Sequence, residues 1–217
     1  MTSRSQNDQK LTRMALFINC ARQLIDEEGY QNVSIRKIAD RAGYHNSTIY
    51  FYFSDLDYLL ALASVRSFEE YSKDLAGISS LNKSNKDVFY AIWESFCRAA
   101  FSKPDESYQL FFGKYKDQIT EILNQYYRLF PEEKQAYSDV IEDMYFTSNF
   151  TDRCRALLKP LMNDPDTKVT ADTFELINTI TVSVFESMLR EKKESPDTNN
   201  RTLTKNFLNI LHFIVDA

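Results

Sequence analysis

Glycine is scarce in this chain of 217 residues: only Gly29, Gly43, Gly77 and Gly113 occur, and none follows residue 113. A sheet-rich protein needs turn glycines between its strands, so the scarcity points to helices. Proline is absent from the first 103 residues; Pro104, Pro131, Pro160, Pro165 and Pro196 then punctuate the remainder into helical segments. Histidine occurs only as His45 and His212, and neither has a Cys, His or carboxylate partner at metal-ligand spacing. The cysteines Cys20, Cys97 and Cys154 are odd in number and far apart, which argues for reduced thiols over a disulfide framework. No apolar run reaches the roughly 18 residues of a membrane span, and no apolar N-terminal stretch marks a signal peptide, so the expected location is cytoplasmic.

Catalytic signatures are missing too. There is no Gly-rich phosphate cradle and no Gly-x-Ser-x-Gly elbow. Asp164-Pro165-Asp166 lacks the central glycine and distal glutamate of a calcium loop, and Glu142-Asp143 is ordinary for a solvated helix face. The expectation is a protein that is not an enzyme and carries neither metal nor cofactor.

Aromatic residues are abundant, with 16 Phe and 13 Tyr. Net charge is −5, but it is unevenly spread: residues 1–54 hold seven basic and five acidic side chains, leaving 19 against 26 for the rest. The N-terminal quarter is therefore the positive end. Within it, residues 34–53 read as two short helices around a tight turn. Ile35, Ile38, Ala39 and Ala42 fall at helical spacing and leave Arg36, Lys37 and Arg41 on the wet side. Ser34 is placed to cap the first helix, and Gly43 stands where a left-handed turn is needed. The second helix, about Asn46 to Phe53, carries small polar side chains followed by an aromatic run. This is helix-turn-helix grammar.

Residues from about 11 to 62 resemble the DNA-binding domain of the TetR family of bacterial transcriptional repressors. The resemblance is carried by Arg13, the apolar pairs Leu16-Phe17, Cys20-Ala21 and Leu24-Ile25, then Gly29-Tyr30, the string Thr48-Ile49-Tyr50-Phe51-Tyr52-Phe53, and Asp55, Asp57, Leu59 and Leu60. It implies a second helix lying in a major groove. Arg36, Asn46 and Ser47 are then candidates for base edges, and Thr48, Tyr50 and Tyr52 for phosphates, with Phe51 and Phe53 as packing residues. Two positions depart from the family pattern. His45 stands where the family has Ser, so Asn46 is expected to take over the cap. Leu56 replaces a lysine that reaches a phosphate, which predicts weaker binding and a flatter salt dependence.

The expected fold is all-α: a three-helix helix-turn-helix domain over 1–55, opened by a flexible arm to about Lys10, and a helical ligand-binding and dimerisation domain over 56–217. Helical spacing predicts segments at about 56–76, 86–102, 114–130, 132–150, 170–193 and 203–214, with a loop rich in Ser, Asn and Lys to about 85. In the last two, Phe174, Ile177, Thr181, Val184 and Met188 face Leu203, Phe207, Ile210, Leu211 and Ile214 as an antiparallel hairpin. The pattern alone fits an internal core hairpin or a dimer seam; the resemblance favours a homodimer through about 170–216.

Phe89, Trp93, Phe96, Phe112, Tyr115, Tyr126 and Tyr145 have two readings, as core or as the lining of a cavity for a small-molecule inducer. Their flat faces suit an apolar or aromatic ligand, and Asp139 and Asp143 leave a cationic one open. The reading is a DNA-binding transcriptional regulator, a repressor released from a double-stranded operator by a small molecule. The rival is a ligand-binding or interaction protein of the same fold with weak or lost DNA affinity.

Overall fold

The computed structural model describes residues 3–79, 83–162 and 164–217. The centre of the loop expected before residue 85 falls on 80–82, outside the described residues. Helix α1 spans Ser3–Glu28, and so begins inside the segment expected to be an arm. A 3-10 turn at Tyr30–Asn32 leads to α2 (Ile35–Ala42) and α3 (Asn46–Ile49). Then come α4 (Leu56–Ser64), α5 (Glu69–Ser79), α6 (Asn85–Ser102), α7 (Pro104–Phe112) and α8 (Ile119–Leu129). Helices α9 (Asp139–Tyr145), α10 (Phe150–Leu158), α11 (Phe174–Glu194) and α12 (Asn200–Val215) complete the chain. Among the described residues there is no strand, only an isolated bridge between Thr167 and Asp216. No helix among them is long and apolar enough to cross a membrane.

Short polar side chains start the helices by accepting from backbone N–H groups that have no partner within the first turn. Ser34 accepts from the Lys37 amide, Asp55 from Tyr58, Ser84 from Asp87, Asn149 from Asp152 and Asn199 from Thr202. Pro104 opens α7, where a missing N–H costs nothing.

Several boundaries differ from the spacing-based reading. The helix expected over 56–76 is interrupted by a 3-10 turn at Val65–Phe68. The buried Ser64 hydroxyl donates to the Leu60 carbonyl at 2.8 Å, a local bond that competes with the helical ladder just before the break. The helix expected from 114 begins only at Ile119. Of the span 132–150, only Asp139–Tyr145 and the first residue of α10 are α-helical.

Gly29 has φ 85° and ψ 149°, a backbone region open to glycine alone. A Cβ there would touch nothing closer than the Asn32 amide nitrogen at 3.9 Å, so the requirement is conformational, not spatial. Gly29→Ala should therefore cost about 1–3 kcal/mol, read as a lower urea midpoint with an unchanged slope.

Helix α1 packs on α2 and α4, α4 on α7, α5 and α12 on α6, and α10 on α11. One continuous apolar core results, in which Trp93, Phe96, Phe101, Phe185 and Phe207 are essentially sealed from solvent. Cys20, Cys97 and Cys154 are all buried and unbridged, and burial pushes each thiol above its ordinary value. These are packing residues.

Candidate functional site

The N-terminal head is organised around Phe17 of α1, whose ring meets Tyr44 at 5.4 Å, Tyr52 at 5.8 Å and Phe53 at 6.3 Å. Ile38, Ala39 and Ile49 are buried against it and hold α2 and α3 at a fixed angle. Gly43 makes the turn between them with φ 74°, while its amide returns to the Ala39 and Asp40 carbonyls.

This packing turns Arg36, Asn46 and Ser47 outward. The Arg36 side chain is 82% exposed and only loosely paired with Asp40 at 3.7 Å. Asn46 and Ser47 are exposed at the start of α3, and Thr48 is half-buried beside them. His45 occupies the cap position of α3 without a capping hydrogen bond, and its Nδ1 lies 3.2 Å from the Ser47 hydroxyl. Asn46 is the first residue inside the helix, so it does not take over the cap as expected. The chain leaves the helix after Ile49 and continues as a turn. Helical spacing no longer applies there, and Phe51, expected to pack, is 78% exposed beside Tyr50 at 59%, whereas Phe53 is buried. Tyr52 is half-buried, and its hydroxyl accepts from Arg13 Nη1 at 3.0 Å.

Of the three basic side chains on α2, two are held by acids of α1. Lys37 pairs with Glu28 at 2.6 Å, and Arg41 with Glu27 at 2.5 Å. That leaves Arg36 as the α2 cation with no strong partner, which the charge count could not show.

Two links tie this head to the rest. Asp55, which caps α4, accepts from Lys114 Nζ at 2.5 Å and from the Tyr115 hydroxyl at 2.9 Å. Partial burial pushes its carboxyl up, but the hydrogen bonds from Lys114, the Tyr58 amide and Tyr115 prevail and hold it below the ordinary value. Leu56 beside it is half-buried against the core. Arg22 of α1 forms the second link: it is buried, bonds the Tyr126 hydroxyl and lies 3.6 Å from Glu133, to which Tyr126 also donates.

Of the seven aromatic candidates for a ligand site, Phe89, Trp93, Phe96 and Phe112 share the central aromatic cluster, and Tyr115, Tyr126 and Tyr145 lie apart from it. Phe89, Trp93 and Phe96 are buried in the central cluster, and Phe112 stacks edge-on to Phe150 at 5.1 Å. Tyr115 belongs to the Asp55 link and Tyr126 to the Arg22 link. Tyr145 is buried with its hydroxyl 2.8 Å from that of Tyr127. Between the 3-10 turn at Val65–Phe68 and helices α5, α7, α8, α9 and α10 lies a water-sized gap of about 10 Å³, lined by Phe68, Leu110, Phe111, Leu123, Tyr145 and Arg153 among others. Asp139 and Asp143 are exposed on α9, away from the interior. Among the described residues no group of acids, histidines and cysteines could hold a metal ion.

Residues 17–62 match the family model described as bacterial regulatory proteins, tetR family. The whole fold is similar to several solved structures. FadR of Thermus thermophilus, a TetR-family repressor in complex with lauroyl-CoA, superposes with a TM-score of 0.59 at 12% identity, over 91% of this chain and 92% of that one. RolR in complex with resorcinol gives 0.55 at 18% identity over 95% and 89%, respectively. SmeT, the repressor of the SmeDEF multidrug efflux pump of Stenotrophomonas maltophilia, gives 0.54 at 13% over 94% and 90%. No curated protein matches the chain. At these identities the likeness to solved structures is one of fold.

Proposed function

We propose that this chain, whose residues 17–62 carry the N-terminal domain of the TetR family of bacterial regulatory proteins, is a homodimeric repressor that a small molecule releases from its operator. The observation that supports DNA reading most directly is the shared outward aspect of Arg36, Asn46 and Ser47, set by a buried hinge at Ile38, Ala39 and Ile49. A helix held this way presents donors and acceptors to base edges, while Thr48 and Tyr50 flank it for phosphates. Phe51, fully outward, joins them as an apolar contact for a thymine methyl or sugar. Tyr52 acts through Arg13, whose guanidinium it orients. The reading head is assigned to residues 1–55, and the sensing and dimerising part to 56–217.

Release requires that the two parts communicate. The Asp55–Lys114–Tyr115 and Arg22–Tyr126–Glu133 links join α1 and the start of α4 to α8 and its flanking loops, so a shift there changes the orientation of the head. A ligand that prefers one arrangement and DNA that prefers the other are then coupled.

The decisive experiment is a gel-shift on DNA flanking the gene, with wild type, Arg36→Ala and Asn46→Ala. Wild type should bind, and each variant should lose about 1–3 kcal/mol with relaxed specificity at one or two positions. Variants that bind like wild type would sink the docking assignment. A wild-type protein with no shift at all would favour the rival reading, a ligand-binding protein of this fold without DNA affinity.

A further inference from the structure

Arg153 of α10 is a buried cation with no acidic partner among the described residues. It is 3% exposed, and it donates to the Tyr145 carbonyl at 3.2 Å and to the Tyr71 hydroxyl at 2.9 Å. Its guanidinium lies 5.0 Å from the centre of the Tyr145 ring, 5.4 Å from that of Tyr71, and 5.9 Å from those of Phe96 and Phe111. Among the described residues no aspartate or glutamate forms an ion pair with it. The adjacent acid, Asp152, is engaged by Arg155 at 2.7 Å, which also holds Glu175 at 2.9 Å. Burial pushes the hydroxyls of Tyr71 and Tyr145 up, so both stay neutral and neither supplies a negative charge. The other buried arginine, Arg22, has the carboxylate of Glu133.

A charge taken out of water is costly unless paired, and ring faces offset only part of that cost. Arg153 also forms one wall of the gap of about 10 Å³, which admits a water and nothing larger. Another part of its wall is formed by Val65 and Phe68, which belong to the 3-10 turn between α4 and α5. Short 3-10 segments have weaker hydrogen bonds than the helices they interrupt, so this wall is the one that yields most easily to an occupant.

We propose that this gap opens to take an apolar carboxylate, an aromatic or aliphatic organic acid whose carboxylate pairs with Arg153 and accepts from the Tyr71 hydroxyl. Its apolar body lies among Phe68, Leu110 and Phe111. The planar guanidinium fork matches a carboxylate, whereas a phosphate dianion would face a single cation in an otherwise apolar wall. A cationic ligand would meet the Arg153 charge, with Asp139 and Asp143 out of reach on the surface. This inference rests on the reading of the chain as a ligand-released regulator and names the ligand class.

The test uses full-length wild type, with benzoate and octanoate set against benzamide, octanamide and benzylamine, read by calorimetry and Trp93 fluorescence. At least one acid should bind, at least about 30-fold tighter than its amide, the factor expected when one partner of a buried charge pair is removed. Arg153→Gln should lose that preference, and Arg153→Lys should retain part of it. The wild-type comparison stands even where a variant fails to fold. Amides that bind as well as acids, or an Arg153→Gln protein that keeps the preference, would overturn the proposal. Gel-shifts with the same compounds separate it from the wider reading. Acids that bind without releasing DNA leave the anion site standing and remove ligand release. Amides that release DNA as well as acids do the reverse, and a panel in which nothing binds overturns the anion site alone.

Discussion

A single carboxylate at the middle of the outer face of α11, Val184→Glu, should convert the protein to monomers that no longer hold an operator. On this hairpin Ile177, Thr181, Phe185 and Leu189 of α11 and Phe207 and Leu211 of α12 are buried within the chain. A second apolar row stays partly open to solvent, although Val184 and Ile214 in it also touch the core. Leu176 is 61% exposed and Phe213 80%, and Ile180, Val184, Ile210 and Ile214 are half-exposed between them. In the proposed homodimer a second copy related by a two-fold axis covers this row with its own, which makes a four-helix bundle. Because the interface is self-complementary, each substitution enters it twice, and each places an unpaired charge in a desolvated patch at a cost of several kcal/mol. Loss of the second reading head then removes about 10²–10⁴-fold of operator affinity. Ile210→Glu should behave alike. Sedimentation checks the first effect and a gel-shift the second. Wild-type protein that sediments as a monomer at micromolar concentration would remove the basis of both.

That hairpin also shows what periodicity can and cannot give. The spacing of apolar residues located α11 and α12 to within a few residues, because helical amphipathicity is a local property. It placed Ile177 and Val184 on one seam, whereas Ile177 is buried in the chain and Val184 is half-exposed. A core face and a dimer face are both apolar, so composition does not separate them. The N-terminal head was more legible because its signals are local and chemical: the Ser34 cap and the left-handed Gly43 are both in place. The exposure of Phe51 was not, since it depends on α3 ending after one turn.

The burial of Arg153 is masked in the sequence by its charge. In Thr151-Asp152-Arg153-Cys154-Arg155 a basic residue reads as a solvated helix face. Yet Phe150, Arg153, Cys154, Leu157 and Leu158 fall at steps of three and four, so the spacing did put Arg153 on the apolar stripe of α10. A charged residue on such a stripe is the signal that would have found it.

Trp93→Ala should be the most destabilising single change in the chain, at about 3–5 kcal/mol. The side chain is 1% exposed at the centre of the aromatic core, 5.0 Å from the Phe207 ring, 5.8 Å from Phe96 and 5.9 Å from Phe185. Removing the indole leaves a void ringed by stiff side chains that cannot collapse into it, and the thermal midpoint should drop by roughly 6–20 °C for a domain of this size. Trp93→Phe should behave quite differently. The buried Nε1 has no hydrogen-bond partner among the described residues, so the indole carries a desolvated donor whose loss is favourable. That gain offsets much of the smaller void left by a phenyl ring, and the phenylalanine variant should stay within about 1–2 kcal/mol of wild type. The pair separates the two meanings of this residue. A core tryptophan gives a large loss with Ala and a small one with Phe. A tryptophan that serves as a ligand wall leaves stability nearly unchanged in both and abolishes the response to bound compound instead.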